Sequence, residues 1–195
     1  MTSFTDMELD ALTELANIGS GTAATALASL VGKEIDLTVP TARALELAEA
    51  VDAAGPPDEL VTGVVLPVHG DLQAIVLLVF SESDAQLLCS LLGLEHGTEI
   101  GLSALSEIAN ILGSSYIGAI GTMTGLAIEP APPELARDEL AAVVSTVLAV
   151  GAQTSDVALM LDSQLVIAGD DCTFSFMFVP APGGAAELLR RLGIA

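Results

Sequence analysis

Two rows of polar residues in this sequence have the types and spacing to do chemistry. Asp10, Glu14 and Asn17 are four and three residues apart, and Ser103, Glu107 and Asn110 repeat that spacing. On a helix, residues at i, i+4 and i+7 share one face, so each trio forms a single stripe. A carboxylate and a carboxamide supply no nucleophile, but they can serve a hydrolysis whose reactive group and metal are held by another molecule. The Asn amide has both a donor and an acceptor and can hold a water in line with a phosphorus atom. A glutamine performs that task in small GTPases. The Glu beside it can pair with a lysine of the partner.

A solvated helix face can also carry Glu-x-x-Asn, and a single row would decide nothing. The second copy changes the weighting. Leu9-Asp-Ala-Leu-Thr-Glu-Leu-Ala-Asn-Ile18 recurs as Leu102-Ser-Ala-Leu-Ser-Glu-Ile-Ala-Asn-Ile111, identical at seven of ten positions. Asn costs a helix several tenths of a kcal/mol against Ala, and Asp10 and Glu14 repel each other mildly. Solubility alone does not require that choice twice.

The other reactive residues offer less. His69 and His96 each adjoin a glycine and are expected to be exposed loop residues. No Ser-His-Asp or metal-ligand spacing stands out. Cys89 and Cys172 form no CxxC pair and are expected to be buried small hydrophobes. Gly19-x-Gly21-x-x-Ala24 imitates a dinucleotide fingerprint, but it lies within a helical pattern and points instead to close helix packing.

The elements that position the two rows follow from the repeat. The same register pairs Gly32 with Gly125, Ile35 with Ile128 and Pro40 with Pro133, which gives one domain made of two repeats, about 1–95 and 98–195. Periodicity and punctuation predict helices over 7–30, 46–54 and 82–92, an extended stretch over 34–45, and strands over 60–68 and 72–80 joined through His69-Gly70-Asp71. The second half reads alike, with helices over 101–123, 138–150 and 183–192 and strands over 126–132, 156–168 and 172–179. The apolar run 138–150 is also compatible with a buried strand. The expected class is α+β, with two long helices over a shared, mainly antiparallel sheet and a pseudo-twofold relation of the halves.

Composition limits the partners. Asp and Glu total 26 against 5 Lys and Arg, a formal charge of −21, which excludes an electrostatic grip on nucleic acid or anionic lipid. With 52% hydrophobic residues the chain is globular rather than disordered. Dispersed acidity with Lys33 as the sole lysine suits a molar-salt cytoplasm, as in halophilic archaea. The run Ile108–Ile128 is uncharged over 21 residues and long enough to span a bilayer. Its four glycines, its polar residues and the lack of flanking Lys or Arg argue against a membrane span. The first residues lack a basic segment followed by an apolar core, so no signal peptide is expected and the address is cytoplasmic.

The doubled Glu-x-x-Asn row, the following Asn17-Ile-Gly-Ser-Gly-Thr-Ala-Ala-Thr-Ala-Leu27, Asp36-Leu-Thr-Val-Pro40, Gly70-Asp71 and Asn110-Ile-Leu-Gly-Ser-Ser-Tyr116 resemble the CheC family of chemotaxis phosphatases, which includes CheX and the FliY phosphatase domain. The resemblance spans essentially the whole chain. It implies dephosphorylation of phospho-CheY, a response regulator carrying an aspartyl phosphate. By position it implies that Glu14 and Glu107 contact the regulator's lysine and that Asn17 and Asn110 orient water, with Asp10 and Ser103 as upstream members of the motif. It implies no cofactor of the chain's own, Mg²⁺ supplied by the regulator, and the receptor deamidase CheD as a second partner. Two rows set the chain apart from CheX-like members with one site. The competing expectation is a non-catalytic adaptor or allosteric subunit that binds phospho-CheY or CheD.

Overall fold

A computed structural model describes residues 5–151, 157–167 and 169–194. The elements run α1 (Asp6–Val31), β1 (Ile35–Glu46), α2 (Leu47–Ala54), β2 (Leu60–Gly70), β3 (Ala74–Ser81) and α3 (Glu82–Leu91) in the first half. The second half follows with α4 (Glu99–Thr124), β4 (Ile128–Pro130), β5 (Glu134–Glu139), α5 (Leu140–Gly151), β6 (Val157–Ile167), β7 (Asp170–Pro180) and α6 (Gly184–Arg191).

The long helices α1 and α4 are each 26 residues because matching signals end them. Thr5 caps α1, accepting from the Glu8 N–H, and Glu8 reaches back to the Thr5 N–H at 2.6 Å to complete a capping box. Thr98 caps α4 by accepting from the Gly101 N–H at 3.1 Å. Gly32 and Gly125, both at φ 69°, stop the two helices in the left-handed conformation that favours glycine.

All strand pairings are antiparallel, in the order β1-β6-β7-β3-β2-β4, with β5 also on β2. The hairpins β2–β3 and β6–β7 meet at the centre through β3 and β7. Each half sends its first strand to the other half's hairpin: β1 pairs with β6, while β4 and β5 pair with β2. The halves therefore share one sheet, and neither repeat completes a sheet by itself. On one face lie α1, α4, α3 and α6, over a core that includes Leu66, Leu78, Phe80, Leu112, Tyr116 and Phe176. On the other face α2 and α5 cover Val61, Leu77, Met160, Met177 and Val179.

The structure corrects several expectations. Of the strand expected over 126–132 only Ile128–Pro130 forms, ending before Pro132 and Pro133, which cannot donate to a ladder. Residues Glu134–Glu139 form an edge strand that the sequence did not suggest, since charged residues fill it without apolar alternation; such charges also protect a free edge. The helix expected over 138–150 is present, starting at Leu140, and the alternative of a buried strand falls away. β6 lies within the expected 156–168, whose end residues fall outside the described set. β2 continues through His69 and Gly70, which pair with Glu129 and Ile128 instead of turning. At Gly70 a Cβ would sit 2.0 Å from the Ala127 carbonyl oxygen, so only glycine fits. Asp71 clasps the same segment: its N–H donates to the Ala127 carbonyl, and its carboxylate accepts from the Ala127 N–H, both at 2.9 Å. No described helix is long and apolar enough to cross a membrane.

Candidate active site

The two rows stand on the outer faces of α1 and α4. Leu12, Leu15, Ala16, Gly19, Ala23 and Leu27 bury the inner face of α1. Leu105, Ile108, Leu112, Tyr116 and Ile120 do the same for α4. That burial fixes the rotation of each helix, so Asp10, Glu14 and Asn17 are exposed together, as are Ser103 and Glu107, with Asn110 half-buried beside them.

The helices cross where Gly19 meets Tyr116. A Cβ on Gly19 would lie 2.8 Å from Tyr116 Cδ1 and 3.0 Å from its Cα. Gly21, by contrast, has open space around it, so only the first glycine of that pair serves packing. Leu30 at the end of α1 shares a groove with Ile100, Ser103 and Glu107 at the start of α4, so the helices run antiparallel. Both rows lie on the N-terminal side of the crossing in their own helix. They therefore fall on opposite sides of it and make two separate candidate sites, each uniting one Glu with one Asn.

Among the described residues, no hydrogen bond or ion pair engages the carboxylates of Asp10, Glu14 or Glu107, which leaves them available to a partner. Asn110 is held by Ser114, whose Oγ donates to Asn110 Oδ1 at 3.5 Å. This leaves the amide N–H groups and one Oδ1 lone pair for a water. Asn17 has no such support, because Gly21 stands where α4 has Ser114. The sequence reading missed Ser114, although its i+4 spacing from Asn110 places it on the same face. Below α4, the Tyr116 hydroxyl meets Ser163 Oγ at 3.4 Å, and burial pushes its pKa up to about 12.

Other reactive groups play no part in the rows. His96 is not an exposed loop residue: its ring is largely buried, with Nδ1 4.0 Å from Glu82 Oε2 and Nε2 lacking a partner. Glu82 is also bound by Arg137, which holds its carboxyl below the usual range. His69 is exposed, but on a strand. Both cysteines are buried and free, and burial raises both thiols. Among the described residues, no three His, Cys, Asp or Glu side chains are grouped to hold a metal ion.

The profile of the CheC-like family matches residues 7–42 and again 100–137, its two starts falling at equivalent places in the repeats. The chain is 34% identical over 166 residues to the CheY-P phosphatase CheC of Bacillus subtilis strain 168, covering 81% of this chain and 79% of that protein. It is 31% identical to the flagellar motor switch phosphatase FliY of the same strain over 67% of this chain but only 35% of that longer protein. The crystal structure of Thermotoga maritima FliY superposes with a TM-score of 0.78 at 20% identity, covering 99% of this chain and 98% of that one, a likeness of fold.

Proposed function

This chain belongs to the CheC-like family, and from that premise we propose that it is a phosphatase that hydrolyses the aspartyl phosphate of a CheY-type response regulator. The observation that carries the reading is the recurrence of one exposed Glu–Asn row on two helices whose buried faces fix its orientation. Glu14 and Glu107 pair with the regulator's lysine and seat the row over its phosphoryl group. Asn17 and Asn110 accept a hydrogen bond from a water and align it opposite the scissile bond. The water oxygen bonds to phosphorus as the acyl O–P bond breaks. The aspartate leaves as carboxylate, and the water's protons pass to phosphate and solvent. Asp10 and Ser103 contact the regulator beside each site.

In this reading the chain needs no cofactor of its own. The Mg²⁺ belongs to the regulator, and the reaction takes place in the cytoplasm. CheD is proposed as a second partner on family membership alone. The two repeats are proposed to form one domain, consistent with the exchanged strands.

The test is phosphate release from the phosphorylated regulator in molar salt by wild type and by Asn17→Ala/Asn110→Ala. The double variant should fall to the regulator's spontaneous rate, a loss of roughly 10²-fold, the scale of losing a positioned reactant. Undiminished turnover in that variant would overturn the assignment. Binding with release of no more than one phosphate per wild-type chain would instead make the protein an adaptor.

A further inference from the structure

Six large apolar side chains are exposed among the described residues: Met7, Ile18, Leu30, Leu60, Ile100 and Met123. Scattered exposure is ordinary on a soluble surface. Four of these, however, occupy two equivalent positions in the repeats. Met7 corresponds to Ile100 and Leu30 to Met123, by the same shift that relates Asn17 to Asn110. The antiparallel crossing brings Leu30 and Ile100 together from opposite halves, and Met123 and Met7 are their equivalents by the repeat. Leu30, 45% exposed at the end of α1, and Ile100, 67% exposed at the start of α4, line an open groove of about 930 Å³ with Ser103 and Glu107 of the α4 row. Leu92 and Leu94 extend its apolar surface, and Glu99 adds a second carboxylate.

We infer that Leu30 and Ile100 form a rim on which the regulator docked at the α4 site seats a nonpolar side chain, and that Met7 and Met123 form the matching rim of the α1 site. Each site thus borrows one apolar wall from the other half. The occupant is the regulator because the groove is continuous with the catalytic row, and because its carboxylates call for a partner that places a cation beside the nonpolar group. Apolar anchors bordered by polar groups are the usual centre of such contacts. This inference rests on the function proposed above and adds Leu30, Ile100, Met7 and Met123 as determinants of partner affinity.

The experiment reads each site separately. With only the α4 site active, in Asn17→Ala, Leu30→Ser should raise KM for the phosphorylated regulator at least fivefold with kcat within twofold. With only the α1 site active, in Asn110→Ala, the same change should alter neither constant, and Met123→Ser should give the reverse pattern. An effect of Leu30→Ser confined to the site on its own helix, or one on kcat alone, would overturn the inference. If the Asn variants retain turnover, the catalytic reading fails and binding alone decides the rim. A regulator loaded with beryllium fluoride and Mg²⁺ should then show one binding step weakened at least fivefold by Leu30→Ser or Ile100→Ser. Unchanged affinity overturns the rim, as does unchanged affinity accompanied by conversion of a dimer of this chain to monomer, which would give the rim to a second copy.

Discussion

The two halves carry the same Glu and Asn on helices of equal length, yet they support them differently. In the α4 half, Ser114 braces Asn110, Tyr116 and Gly113 anchor the helix against the sheet, and Ser103 leaves Glu107 as the row's only charge. In the α1 half, Gly21 leaves Asn17 unbraced, the equivalents of Gly113 and Tyr116 are Ser20 and Ala23, and Asp10 adds a second carboxylate. The difference teaches that the two repeats share the Glu–Asn pair proposed to react while its supports differ. The α4 site should be the stronger, and the α1 site the more sensitive to charge.

The largest expected effect lies where the halves lean on each other. Gly19→Ala forces a Cβ into Tyr116 and should destabilise the fold by about 1–3 kcal/mol, the range for overpacking. Thermal unfolding measures it. No loss of stability would mean that the two helices are not held at the distance described.

Next comes salt. The regulator's phosphorylated site is itself acidic, so at low ionic strength repulsion opposes docking. Raising salt from about 0.1 M to 1 M shortens the Debye length from about 10 Å to about 3 Å. Activity should rise at both sites, and about threefold more when only the α1 site works, because Asp10 stands where the α4 row has the uncharged Ser103. Equal rises would remove the distinction, and a steady decline at both sites would refute the salt-adapted reading of the −21 charge.

A smaller effect exchanges the braces. Ser114→Ala should lower turnover at the α4 site about twofold, near the lower end for losing one hydrogen bond given its 3.5 Å length. Gly21→Ser should raise the α1 site by a similar factor. Both are read as kcat in the single-site backgrounds; no response in either would leave the asymmetry without its cause.

Much of this arrangement was legible in the sequence, for identifiable reasons. The ends of α1 and α4 lie within two residues of expectation because caps are local: a threonine before each helix and a glycine after it. The rows were visible because residues four and three apart must share a helical face. What stayed hidden depends on distant partners. The exchange of β1 and β4–β5 between hairpins arises from pairings far apart in the chain, and β5 has too little alternation to announce itself. The approach of His96 to Glu82, which Arg137 also binds, is made only by the fold. Leu30 continues the apolar spacing of α1 in the sequence and is exposed in the fold, and only the antiparallel crossing places it in one groove with Ile100. Gly19 shares the apolar spacing of Leu15 and Ala23 and Gly21 does not, but the residue that fills the space at Gly19, Tyr116, is supplied by the fold.

The central claim is that the chain holds two independent sites built on one pair of residues. Its most direct test is steady-state phosphate release by wild type, Asn17→Ala, Asn110→Ala and the double variant at saturating phosphorylated regulator in molar salt. The rates of the two single variants should sum to the wild-type rate, with Asn17→Ala retaining the larger share and the double variant at the spontaneous rate. Loss of all activity in either single variant, or substantial activity in the double variant, would contradict it.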